Sequence, residues 1–176
     1  MGQNSKRFDV KIINSRLLVH GFPPPTSFKQ IDTLEIAKRM FRFPSNKLGS
    51  VAKYLGLEDK GETGGFKLWA DVMKGCTVAA QAMLEYNMQD VKLTWDYYQR
   101  IRAWDNKAVN QQLYYDDVSP RCNKCGSGSL SPTDKVAYTP QGAYNEFRCD
   151  DCGGLSRAKT NLVGKAKRQS MFVNIV

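Results

Sequence analysis

Two sets of side chains in this chain of 176 residues have types and spacings that could do chemistry. Four of its five cysteines form two CxxC pairs, Cys122–Cys125 and Cys149–Cys152, each followed directly by a glycine. Two tight turns of this kind bring four thiolates to the corners of a tetrahedron, the arrangement Zn²⁺ takes in closed structural sites. The alternatives are an iron–sulfur centre and a redox pair. There is no fifth ligand, so the metal is expected to be structural. Arg121, Lys124 and Arg148 adjoin the cysteines and are expected to favour their thiolates. The second set is Tyr86 and Asp90, four residues apart in the long helical stretch 76–104. At that spacing they share a helix face. A carboxylate can hold a divalent cation, and a hydroxyl beside it can orient the water that the cation activates. The plainer reading is an amphipathic helix with one core tyrosine and one solvated aspartate.

The net charge of +9 favours an anionic partner, with nucleic acid first. Residues 121–176 carry nine Lys/Arg against four Asp/Glu, and residues 1–120 seventeen against thirteen, so the C-terminal third is the more basic. Apolar runs are far short of a membrane span. The N-terminal MGQNSKRFDV lacks the apolar core of a signal peptide. A cytoplasmic protein without a membrane partner is expected, and in such a chain paired CxxC reads as metal rather than disulfide.

The elements that must position these residues follow in order. A helix is expected over about 5–20, with Asn4 and Ser5 as caps and Phe8, Ile12, Ile13 and Leu17 as its apolar stripe. Gly21 and Pro23–Pro25 end it. Residues 31–33 are either a strand end or the entry to a second helix, which buries Leu34, Ala37, Met40 and Phe41. A third helix covers about 46–55, a polar loop 57–65 and a short helix 66–74. In the long helix, Trp95, Tyr97, Tyr98, Ile101 and Trp104 are read as core, with base stacking as the alternative. The division is 1–105 mostly helical, 106–120 linker, 121–157 a small β ribbon, and 158–176 a basic tail ending in the apolar run Met171–Val176. Within the ribbon, Tyr138 and Tyr144 flank a hairpin turn at Pro140–Gly142. His20, the lone histidine, is read as structural or solvated.

Read together, the first and long helices carry a resemblance. GQNSKRFDVKII (2–13) resembles the second motif, GHNxxxFD, of DnaQ-like 3′–5′ exonucleases, and Tyr86-Asn-Met-Gln-Asp90 their third, YxxxD, in the DEDDy branch. The segment IDTLEIAKRMFRFPSNKLGSVAKYLGL is similar to the linking helices of that family. A zinc ribbon after the exonuclease core resembles phage-type members, which would place the protein in the host cytoplasm. The resemblance implies an α/β RNase H-like fold, of which this portion is mostly α. It implies Asp9 and Asp90 as carboxylates for catalytic Mg²⁺ or Mn²⁺, with Tyr86 positioning the attacking water. Asn4 and Phe8 would support the 3′ end of the strand. Gln3 stands where the family has His. The strand bearing DxE is expected upstream of residue 1, so the chain looks like the C-terminal portion of an exonuclease, inactive alone. The apolar faces of helices 5–20 and 76–104 would then lack the sheet they pack on.

Three functions follow as expectations. The first is part of a 3′–5′ exonuclease acting on single-stranded nucleic acid, DNA first and RNA not distinguished from it, completed by a DxE-bearing N-terminal fragment. The second is a non-catalytic nucleic-acid-binding zinc ribbon on a degenerate scaffold, using Arg148, Arg157, Lys159, Lys165, Lys167 and Arg168 with Tyr138, Tyr144 and Phe147. The third is a docking surface for a replication protein.

Overall fold

A computed structural model describes residues 1–57 and 65–172. Most of the expected 57–65 loop and the last four residues of the apolar run Met171–Val176 lie outside the described residues. The chain divides into two units, Met1–Ile101 and Arg102–Val176. The described residues are mostly helical, with one small antiparallel sheet of three strands.

The first unit contains α1 (Asp9–Val19), α2 (Thr33–Met40), α3 (Leu48–Tyr54), α4 (Gly65–Met73) and α5 (Thr77–Ile101). The first helix starts later than its caps suggested, and the cause is Asp32. Its side chain is 3% exposed. Oδ1 accepts from the Asn4 N–H at 2.8 Å and the Leu34 N–H at 3.0 Å, and Oδ2 accepts from the Lys6 N–H at 3.1 Å. Asn4 adopts a left-handed φ of 60°, which asparagine tolerates better than most residues. Residues 4–6 are thereby held in a turn over Asp32, and the helix proper begins beyond them. Asp32 is also the N-cap of α2, with Glu35 in the first turn. One isolated parallel bridge pairs Gly2 with Asp32. In it, the Gly2 N–H reaches Ile31 O at 3.0 Å and the Thr33 N–H reaches Gly2 O at 2.9 Å. The ambiguous stretch 31–33 is therefore both a strand end and a helix entry.

The core lies where α2, α3 and the end of α5 meet. Ile36 and Ala37, Val51, and Tyr97, Tyr98 and Ile101 are buried together, with Phe41, Phe43 and Leu48 against them. Phe43 stacks on Phe41 at 5.2 Å and meets Tyr54 edge-on at 5.7 Å. Side chains of this size each contribute about 1.5–3 kcal/mol when buried. The aromatic group splits, since Trp95 and, just beyond α5, Trp104 are more than half exposed while the two tyrosines are enclosed. The stripe of α1 does not become core: the helix has no buried residue, and Phe8, Ile12 and Ile13 face solvent. On α4, Phe66, Trp69 and Met73 are exposed as well.

In the second unit, 3-10 turns at Arg102–Trp104 and Gln111–Tyr114 precede β1 (Leu130–Thr139), β2 (Gly142–Cys149) and β3 (Leu155–Arg157), and α6 (Lys165–Gln169) follows. The sheet order is β1-β2-β3, antiparallel throughout. A two-residue turn joins Thr139 to its partner Gly142, and a register irregularity interrupts β1 between Pro132 and Val136. Residues 106–120 hydrogen-bond to this unit through the Gln111 N–H and Asn123 O at 2.9 Å. Beyond β3 the chain continues beside β2, with the Ala158 N–H on Asn145 O and the Leu162 N–H on Ala143 O. No described helix is long and apolar enough to cross a membrane.

Two outcomes are expected. Asp32→Ala strands three backbone N–H groups and destabilises the first unit by about 3 kcal/mol in urea unfolding, with Asp32→Asn costing less. Wild-type stability in the alanine variant would sink this account. The Tyr97 hydroxyl is buried without a hydrogen-bond partner, and burial pushes its pKa up to about 12 from 10.0. The unfolded chain releases that proton first, so the tyrosine's contribution is intact below pH 10 and is lost as pH rises to about 12, at up to about 1.4 kcal/mol per pH unit. Tyr97→Phe removes that slope and leaves stability at pH 7 unchanged or raises it by about 1 kcal/mol.

Candidate functional site

Each CxxC pair sits in a tight turn. The Gly126 N–H returns to Cys122 O at 2.9 Å, and the Gly153 N–H to Cys149 O at 2.8 Å. Both glycines have φ well into the left-handed region, at 81° and 73°, which explains their place after the second cysteine. The turns close on each other: Cys122 and Cys152 sulfurs are 3.7 Å apart, and Cys125 and Cys149 sulfurs 3.6 Å. All four lie within 4.8 Å of one another. A tetrahedron of sulfurs about 2.3 Å from a central Zn²⁺ has edges of about 3.8 Å. A disulfide needs about 2.05 Å. The four cysteines could therefore hold a metal ion, and the donor set and spacing suggest zinc.

Lys124 interacts electrostatically with Cys152 and Cys122, as the sequence suggested, while Arg121 and Arg148 have other partners. Arg121 pairs with Asp117 and lies over the Tyr115 ring at 4.2 Å. Lys124 Nζ donates to Ala103 O, and burial lowers its pKa. Arg148 donates to Gly153 O at 3.0 Å. Backbone groups also face the sulfurs: the Lys124 N–H approaches Cys122 Sγ and the Gly154 N–H approaches Cys152 Sγ, each at 3.4 Å. Such amides come with the turn itself and need no charged side chain. Burial raises the pKa of Cys125 and of Cys152. At Cys149 burial acts in the same direction but is outweighed by the backbone N–H groups of Cys152 and Asp151, so its pKa falls.

The sheet presents the expected aromatic and basic residues. Tyr138 is 80% exposed. The Arg157 guanidinium lies over the Tyr144 ring at 3.9 Å, a pairing between β3 and β2 that spacing alone does not reveal. Arg148, Lys159, Lys165, Lys167 and Arg168 are exposed, the last three on or at α6.

In the first unit, Tyr86 and Asp90 sit one turn apart on α5, both half-buried. Asp9 is exposed in the first turn of α1. Asn4 is held by its backbone to Asp32, and Phe8 is exposed at the N-terminus of α1. Among the described residues, the four cysteines are the only group of three or more metal-ligating side chains within reach of one another. Asp9 and Asp90 are thus not joined by a third acid, and the described carboxylates do not fit a two-ion site by themselves. Asp32 escaped notice in the sequence because one aspartate before a helix reads only as a cap. Its other two bonds come from a segment 26 and 28 residues away.

Residues 3–102 match the sequence profile of the RNase H superfamily. The match spans more than half of the chain, and the chain belongs to that superfamily. No curated protein and no solved structure gives a significant match.

Metal content provides the test of the cysteine centre. One Zn²⁺ per chain is expected, with affinity falling at lower pH as the thiols regain protons. Among the described residues of the second unit the buried hydrophobic ones are Cys122, Ala143 and Cys149, too few for a core. Chelation or Cys125→Ser should therefore collapse the amide dispersion of residues 121–157. A metal-free ribbon with wild-type dispersion would refute a structural role for the metal.

Proposed function

We propose that this chain is part of a 3′–5′ exonuclease of the DnaQ-like, DEDDy type that removes terminal nucleotides from single-stranded DNA. Its nuclease portion is residues 1–105, joined through 106–120 to a zinc ribbon at 121–157 and a basic tail at 158–176. The observation that carries the reading is the superfamily match over 3–102 combined with Tyr86 and Asp90 on one face of α5. Asp9 and Asp90 contribute carboxylates, and Tyr86 orients the water that attacks the terminal phosphodiester. Divalent cations supply the charge that activates this water when a DxE-bearing segment completes the acidic set. Asn4 and Phe8 support the strand end. The ribbon grips the strand with Arg157 stacked on Tyr144 and with the exposed lysines beyond β3. Such a protein works in the cytoplasm, that of the host if a phage encodes it.

A second reading keeps the binding and drops the chemistry. It is favoured by the exposed Tyr138 and the Arg157–Tyr144 stack, which suit base stacking and phosphate contact whatever the first unit does. One assay separates the two. Mn²⁺-dependent shortening of a 3′-labelled single strand is measured with a DxE-bearing fragment added. The exonuclease reading expects Asp90→Asn to lower the rate at least about 100-fold and Tyr86→Phe less, with strand affinity retained. No shortening under any condition, with salt-sensitive binding that disappears on zinc chelation, establishes the second reading. Shortening that survives Asp90→Asn removes Asp90 from the site.

A further inference from the structure

The long helix α5 carries two stripes on opposite sides. Tyr86, Asp90, Leu93 and Tyr97 recur at steps of four, three and four, which keeps them on one side of a helix with about 3.6 residues per turn. This is the inward side: the first two are half-buried and the last two buried. Leu84, Met88, Val91 and Trp95 recur at the same steps, displaced by two residues, or about 200° round the axis. All four are more than half exposed. The Trp95 ring rests on Tyr98, with 6.2 Å between centroids. The stripe is uncharged and runs for about 16 Å. Glu85 and Lys92 stand along one edge of it, and Asn87 and Thr94 along the other.

We propose that this outward stripe binds the same stripe of a second copy, α5 against α5, antiparallel about a twofold axis. Steps of four and three are those of a coiled-coil seam. In the antiparallel orientation the order of residues complements itself. Trp95 meets Leu84 of the second copy and Met88 meets Val91, and symmetry repeats each layer. Between the layers Glu85 faces Lys92 of the second copy on one edge, and Asn87 faces Thr94 on the other. Two opposite-charge pairs result. Glu85 also accepts from Gln81 at 2.8 Å, an exposed bond within the helix that leaves its charge in place. Asp96 lies further round α5, beyond that edge. A parallel pair would set Trp95 on Trp95, and would put Asn87 opposite Lys92 and Ala80 opposite Glu85. This match of the stripe with itself, in size and in charge, singles out a second copy. A segment that completes the acids around Tyr86 and Asp90 approaches the other side of α5, so the pairing stands apart from the exonuclease reading. An interface three turns long falls at the low end of the roughly 1,200–2,000 Å² that stable complexes bury, and a Kd on the order of 10 µM is expected.

Sedimentation velocity of the full zinc-loaded chain without nucleic acid provides the test. From about 1 to about 100 µM, monomer should pass to dimer. Val91→Glu should raise Kd at least about 30-fold and leave the thermal midpoint unchanged, because the side chain is exposed in the single copy. Glu85→Lys and Lys92→Glu each create two like-charge pairs and should raise Kd about 10-fold, and the double exchange should restore it to within about 3-fold. A chain that stays monomeric over this range overturns the proposal, as does a dimer indifferent to Val91→Glu. A dimer that Val91→Glu weakens but the double exchange does not restore overturns the antiparallel register. If instead the chain is monomeric and Val91→Glu abolishes its binding to a DxE-bearing fragment, the stripe belongs to that fragment and not to a second copy.

Discussion

The buried Asp32 carboxylate is the interaction on which the first unit depends. One side chain ends a strand bridge, caps α2 and holds the backbone of Asn4 and Lys6. Hydrogen bonds to an ionised acceptor are the strong ones, and here three converge away from solvent. They set where α1 can begin, and hence where Asp9 and Phe8 stand. They also anchor Gln3, whose amide spans from Thr33 to Asn46. Gln3 is thus used as a brace between α2 and the segment leading to α3.

The second unit is organised by a different constraint. Its described residues form almost no hydrophobic interior, and a small sheet without one is marginal. Its order comes from the two cysteine turns and from the segments that lace onto them. Tyr115 packs so closely on Gly126 that a side chain there would collide with its ring, and Asn161 does the same at Gly142. Asn161 also accepts from the Ala143 N–H at 3.2 Å. Residues on both sides of 121–157 are therefore tied to the ribbon.

Much of this was legible in the sequence, and the reasons are physical. The cysteine spacing and following glycines specify a local geometry, so the four sulfurs converge as read. The long helix and the placement of Tyr86 over Asp90 follow from a period of 3.6. That Tyr97 and Tyr98 are core followed the aromatic pattern, though not their partners on α2 and α3, while Trp95 on the same helix stayed exposed because no described element covers that side. What was not legible depended on distant partners. Asp32 needed residues 4 and 6, Arg157 needed the Tyr144 ring, and Arg121 turned from the sulfurs to Asp117. Periodicity says which face is apolar but not whether anything meets it, and α1 shows the difference.

The near-absence of an apolar core in the ribbon bears on how such a surface can evolve. Where a sheet is held by an interior, each strand residue has a packing duty and changes are constrained in pairs. Here the sulfurs and turn amides carry the fold, so exposed side chains such as Tyr138 contribute little to stability. Their positions are open to exchange, and the ribbon can be retuned to a new partner one residue at a time without first being rebuilt.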